Sequence, residues 1–284
     1  METINCILCG SNQFITLQKP SPYGMVKCRR CGLVFLNPRP DRVEHKKFHK
    51  DSYFESYYAQ TIDKFYTEQN ELYKRIAQLN RQRLTLVKGY INNGKLLDVG
   101  AGQGMFIKTA HHQGFNVIGT DLMDEAHSYF KSIGLDYRIG YLEELKLQKE
   151  SFDVVTMWHS LEHTFNPAST LQEAHRVIRK GGYLFIAVPS FNTGLSYLNL
   201  VFNRPFFSEN STEIHYFYFT EITLRGLVEA SGFKVLRIQP DIRINLKSSC
   251  RSTLGAMLDG LGKITWFLCG DRHNESIICL AQKF

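Results

Sequence analysis

Leu96 to Val99 form a short strand-like run that enters Gly100-Ala101-Gly102-Gln103-Gly104, after which Met105 to His112 reads as a helix stopping near Gly114. No other feature narrows the fold as much. A glycine turn between strand and helix lets a ligand approach the backbone at the carboxyl edge of a parallel sheet. From Lys95 onward strand and helix patterns alternate, which implies an α/β domain with both sheet faces covered. The further strands expected are Phe115–Thr120, Tyr137–Ile139, Ser151–Met157, Tyr183–Val188, Phe233–Ile238 and Ser276–Ala281. Asn166-Pro167 opens a helix with Leu171, Ala174, Val177 and Ile178 inward and Arg179 and Lys180 at its end, stopped by Gly181-Gly182. Another helix is expected from about Glu221 to Ala230.

The spacing of the glycines separates two cofactors. A dinucleotide fingerprint reads G-x-G-x-x-G, whereas this run is G-x-G-x-G preceded by Asp98. Hydride chemistry is disfavoured. Asp121 lies at the end of the second strand, 17 residues beyond Gly104, where a carboxylate can accept hydrogen bonds from both hydroxyls of a ribose. The run from Asp98 to Gly104 resembles the class I methyltransferases that use S-adenosylmethionine. Phe152-Asp153, Leu161-Glu162-His163 and Lys180-Gly181-Gly182 look like the fourth- and fifth-strand motifs of the same family.

That resemblance implies a Rossmann-like seven-stranded sheet of order 3-2-1-4-5-7-6 with strand 7 antiparallel. It places the cofactor against Asp98, Gly100, Ala101, Gly102 and Gly104, then Asp121 and Leu122, Tyr141 and Leu142, and Trp158. Many relatives carry an acidic residue directly after the glycine equivalent to Gly140, where this chain has Tyr141, so the side chain that meets the adenine amine stays open.

Three histidines are candidates for the chemistry. When the methyl acceptor is a hydroxyl or an amine a proton must leave, and imidazole titrates in the right range to take it. His163, just past the fourth strand, is the first candidate and His159 the second, with Glu162 as an orienting carboxylate. His159-x-x-Glu162-His163 also matches an inverted zinc-protease motif, rejected because it follows a strand and not a long helix. In the quinone-type O-methyltransferases that this segment resembles, the stretch reads Glu-x-x-Glu-His and can hold a divalent cation; here its first position is His159. His215, in a phrase that the family places over the acceptor, is the third candidate. His45, His49, His111, His112, His127, His175 and His273 read as surface or helix residues.

Cys6-x-x-Cys9 and Cys28-x-x-Cys31 have the spacing by which two tight turns offer four sulfurs to one tetrahedral Zn²⁺. Four sulfurs leave no open position, so this zinc is expected to be structural. A ribbon ending Cys-Gly-Leu-Val-Phe-Leu-Asn-Pro-Arg-Pro resembles one found on a bacterial-type subgroup of these methyltransferases. The expected organisation is a zinc ribbon over 1–40, a helical connector or lid over 41–92, and the methyltransferase domain over 93–284. Leu72, Ile76, Leu79 and Arg83 share a helical face that would dock on the last of these. Pro205-Phe206-Phe207 and the apolar stretch from Leu254 to Leu268 would cap the acceptor site or lie on a bilayer surface.

Residues 1–95 carry 16 Lys+Arg against 8 Asp+Glu, so the formal +7 of the whole chain belongs to its first third. The stretch Asn12–Lys27 lacks the interleaved basic and aromatic pattern of nucleic-acid binders. The absence of a secretion-like start and of a run of about 18 to 20 apolar residues points to a cytoplasmic protein. The reading is a methyltransferase acting on an O, N or C atom of a small molecule, such as a sugar, polyketide-like or lipid-linked intermediate. Its rivals are an RNA methyltransferase that grips RNA with the ribbon and basic third, and a cofactor-binding scaffold without turnover. Peripheral membrane contact and oligomeric state are left open.

Overall fold

The computed structural model describes residues 1–19, 23–53, 71–122, 130–191, 215–241 and 276–284. A seven-stranded sheet organises the molecule. Its strands are β4 (Gly94–Val99), β5 (Phe115–Asp121), β6 (Asp136–Ile139), β7 (Phe152–Trp158), β8 (Ile178–Pro189), β10 (Lys234–Pro240) and β11 (Ser276–Gln282), in spatial order β10-β11-β8-β7-β4-β5-β6. The strands from β4 to β8 run parallel, while β11 is antiparallel to both β8 and β10. This is the order and the single reversed strand that the class I resemblance implies.

The central strands read as near-continuous apolar runs because both faces are covered. Leu97, Val155, Leu184 and Ile186 pack on one side, with helices α4 (Pro167–Val177) and α5 (Glu221–Ala230). Leu96, Val154 and Phe185 pack on the other, with α2 (Glu71–Lys88) and α3 (Met105–His112). Asn166 caps α4 by accepting from the N–H groups of Ala168 and Ser169, with Pro167 where the missing N–H costs nothing. Thr220 and Thr223 form a reciprocal cap on α5.

One boundary differs from expectation. Ile178, Arg179 and Lys180 belong to strand β8 and not to the end of α4, which stops at Val177. Gly181 (φ +75°) lies inside the strand, where the β7–β8 register shifts between Phe152 and Val154. Arg179 instead pairs with Asp153, and Lys283 donates to the carbonyls of His175 and Ile178.

A second, small sheet contains β1 (Phe14–Gln18), β2 (Met25–Cys28) and β3 (Val34–Leu36). Its fourth strand, β9 (Phe217–Tyr218), arrives from the far part of the chain and pairs antiparallel with β3. Phe35 and Phe217 stack with ring centroids 6.2 Å apart, and Phe35, Phe217 and Phe219 are buried in the same core as the α4 and α5 face. The first 40 residues therefore share a core with the large sheet. Helix α1 (Arg42–Tyr53) follows. Pro205-Phe206-Phe207 and Leu254 to Leu268 lie outside the described residues. No helix among the described residues is long and apolar enough to cross a membrane.

Candidate functional site

The carboxyl ends of β4, β5 and β7 open into a cavity of about 320 Å³. One end is the turn after β4. Gly100 takes φ +73°, and a Cβ there would fall 2.2 Å from the side chain of Ser160, so only glycine lets the turn close on the loop after β7. Gly102 donates its N–H to Asp121 Oδ2 at 2.8 Å and Leu122 donates to Asp121 Oδ1 at 2.7 Å. The carboxylate is thus fixed by backbone at the end of β5.

Asp98, Gly100, Ala101, Gly102, Asp121, Leu122, Tyr141, Leu142 and Trp158 all line the cavity. Gly104 does not, among the described residues. A Cβ at Gly104 would strike the Phe130 ring at 2.1 Å, so this glycine makes room for packing beneath the turn. Asp98 is fully buried and accepts from Thr156 Oγ1 at 2.6 Å; burial pushes its carboxyl up to about 7, with the Thr156 hydrogen bond opposing.

Several lining residues were not singled out as site residues from the sequence. Glu143, two positions past Tyr141, has a buried Oε2 with no hydrogen-bond partner among the described residues. Burial raises its pKa. Arg83 and Asn80 come from α2, and Arg83 stands 4.8 Å over the Trp158 ring. Arg83 Nε and Trp158 Nε1 are also buried without partners among the described residues. The helical spacing of Ile76 and Arg83 could have found this wall, since both face the cavity.

The histidines occupy the other end, and the structure separates their roles. His159 sits at φ +54° directly after β7. Its Nε2 is 3.2 Å from Asp241 Oδ2 and its Nδ1 is 3.6 Å from Glu162, an ion-pair distance too long for a hydrogen bond. Burial works against its charge, but Asp241 and Glu162 outweigh this and hold its pKa at about 9. At neutral pH the two carboxylates thus favour the imidazolium form of His159. Arg83 completes the group by donating to Asp241 at 2.9 Å.

His163 lines the cavity and meets His215 edge-on, with ring centroids 4.7 Å apart. His215 stands behind it and does not line the cavity among the described residues; burial and the nearby His163 push its pKa down to about 4. Glu162 is 1% exposed, and neither of its oxygens has a hydrogen-bond partner among the described residues. Burial disfavours its charge, yet His159, His163 and His215 around it keep its pKa below the ordinary value. One ligand atom from each of Glu162, His163 and His215 lies within 4.8 Å of the others, a grouping that could accept a cation. Residues Leu161–His163 form one 3-10 turn, so no long helix carries both histidines of the protease-like motif.

His45, expected as a surface or helix residue, is on helix α1 but fully buried, and it lines the cavity.

Away from the cavity, the four amino-terminal cysteines converge. Cys6 and Cys31 sulfurs are 3.4 Å apart, Cys9 and Cys28 sulfurs 3.5 Å, and all four lie within 4.8 Å of one another. A tetrahedral ion at the usual Zn–S length of about 2.3 Å sets its sulfurs about 3.8 Å apart, so the group needs little adjustment to hold one.

A methyltransferase-domain family model matches residues 66–238, more than half of the chain. A ubiquinone biosynthesis O-methyltransferase of Hahella chejuensis is 33% identical over 130 residues, covering 42% of this chain and 54% of that protein. One of Aeromonas salmonicida is 28% identical over 176 residues, covering 57% and 74%. The chain thus spans about half the length of the first of these relatives. Among solved structures, an S-adenosylmethionine-dependent methyltransferase of Thermotoga maritima superposes with a TM-score of 0.54 at 18% identity, over 82% of this chain and 98% of that one. Another, of Archaeoglobus fulgidus, gives 0.51 at 18% identity over 73% and 94%. With its strand order, its glycine turn and the span of that match, the chain belongs to the methyltransferase-domain family and has the class I fold of the S-adenosylmethionine-dependent enzymes.

Proposed function

We propose that this chain is an S-adenosylmethionine-dependent methyltransferase acting on a small molecule, the glycine-turn end of the cavity binding the nucleoside and the histidine end the acceptor. The observation that carries this reading is a single cavity joining Asp121 and the glycine turn to His163. When bound, S-adenosylmethionine supplies an electrophilic methyl group on a sulfonium. The residues present fit it. Asp121 offers carboxylate oxygens to two ribose hydroxyls. The unpartnered Glu143 oxygen suits an adenine amine, and Arg83 Nε and Trp158 Nε1 are donors for an amino-acid carboxylate.

The chain's own task is then to align the acceptor and to take a proton. His163 is the imidazole on the wall, with His215 against its edge and Glu162 behind it to stabilise an imidazolium. A dissociable proton suits an oxygen acceptor, and the two curated relatives described above are named O-methyltransferases. Within this reading the acceptor is a hydroxyl-bearing sugar, polyketide-like or lipid-linked molecule. Cys6, Cys9, Cys28 and Cys31 hold a structural Zn²⁺, supported by their sulfur spacing. The ribbon (1–40), connector (41–92) and methyltransferase unit (93–284) follow, with β9 of the last completing the ribbon's sheet.

The deciding experiment is calorimetric titration with S-adenosylmethionine and S-adenosylhomocysteine, followed by mass spectrometry of reactions with a panel of hydroxylated acceptors. Binding of both with methylated product supports the proposal; a folded sample that binds neither overturns it. Elemental analysis should give one zinc per chain, lost in Cys28→Ser.

A further inference from the structure

His45 lies outside the matched family region 66–238, yet it stands between the two ends of the cavity. Its ring is fully buried, tilted against Tyr216 at 4.7 Å and edge-on to Phe165 at 5.6 Å. Nε2 is 2.8 Å from the carbonyl oxygen of His163, and Nδ1 is 2.9 Å from the Tyr141 hydroxyl. A carbonyl can only accept, so Nε2 carries the hydrogen and donates. In the neutral ring Nδ1 is then the acceptor, and the Tyr141 hydroxyl must donate to it. Burial and the nearby Arg39 and Arg42 keep the ring neutral by pushing its pKa down to about 4, against the opposing pull of the His163 carbonyl. Burial likewise raises Tyr141 to about 12, so the phenol keeps its proton.

Tyr141 is held on a second side as well. The Arg42 guanidinium stands 4.5 Å and the Lys46 ammonium 5.1 Å from its ring centroid, both from the same helix α1. Helix α1 thus fixes Tyr141 through its hydroxyl and through its ring.

We propose that His45 is a positioning residue for cofactor binding, one that locks Tyr141 into the nucleoside wall and braces it on the His163 peptide. Helix α1 is then a working part of the active site and more than a connector. This rests on the proposed function, because it assumes that the wall at Tyr141 receives S-adenosylmethionine.

The test is a double-mutant cycle on S-adenosylhomocysteine affinity, with the melting temperature of each variant recorded. His45→Phe breaks both hydrogen bonds and should weaken binding about 10-fold or more; His45→Gln can donate to the carbonyl and accept from the phenol, and should restore affinity to within about 3-fold. In a Tyr141→Phe background, His45→Phe should add less than about 2-fold, because the link it serves is already cut. Independent, multiplying effects, or a glutamine variant as weak as the phenylalanine one, would overturn the proposal. If His45→Phe does not fold, Tyr141→Phe and His45→Gln still decide: unchanged affinity in Tyr141→Phe rejects the role. If the wild type binds no S-adenosylhomocysteine, the functional reading fails and this proposal falls with it, whereas binding with an additive cycle rejects His45 alone.

Discussion

The glycine-turn end of the cavity draws most of its wall from Asp98 to Glu143, whereas the histidine end joins Arg83, His159, His163 and Asp241, residues spread over nearly 160 positions. The first is built on adjacent parallel strands, with backbone N–H groups holding Asp121. The second is held by side chains reaching across elements, and His215 behind it is carried next to β9, which is pinned to β3 of the small sheet. A locally encoded end can be damaged one residue at a time. A remotely assembled end can be damaged from far away.

The sharpest probe of this contrast is His163→Ala, which should lower turnover by about 10²- to 10⁴-fold while leaving S-adenosylmethionine affinity within about 3-fold. Equal loss of both would make His163 structural. Phe217→Ala comes next. It empties a buried aromatic site between the small sheet and the core and should cost about 3 kcal/mol or more of stability, read by denaturant unfolding. If the histidine end leans on this strand, its turnover should fall by a larger factor than its nucleoside affinity; matched losses would break the comparison.

Asp121→Ala removes a charged acceptor from the nucleoside end and should weaken S-adenosylmethionine binding about 100-fold by calorimetry. An unchanged Kd would move the ribose elsewhere. The smallest effect concerns His159. Its folded pKa of about 9 is above the ordinary 6.5, so its ion pairs stabilise fully below that lower value and are lost as pH rises through about 9. Melting temperature should therefore decline across this window, and less steeply in His159→Asn.

What could be read in the sequence follows the same divide. Leu96 to Gly104, Phe115 to Asp121 and the cap at Asn166-Pro167 are local patterns in which hydrophobic run, turn residue and charge agree, and the structure places them where expected. Gly181-Gly182 misled, because a glycine pair after a helical pattern reads as a stop, while here it sits within β8 at a register shift set by pairing with β7. His45 looked like a helix surface residue because its partners lie 96 and 118 positions away. Nothing near His159 in sequence announces Asp241, its partner 82 positions away. Glu143 was hidden behind Tyr141, since a 3-10 turn at Leu142–Glu144 brings round the residue two places later.

The pairing of β3 with β9 also bears on synthesis. At about 5 to 20 residues per second, the ribosome has made Val34–Leu36 roughly 10 to 40 s before Phe217 and Tyr218 exist to cover that strand. Through that interval a nascent chain presents three apolar residues on an open hydrogen-bonding edge, the kind of template on which neighbouring chains aggregate. On the proposal that Cys6, Cys9, Cys28 and Cys31 hold Zn²⁺, an ion bound early would shape the emerging sheet while its closing strand is still to come, and the yield of folded protein would then follow metal supply during translation.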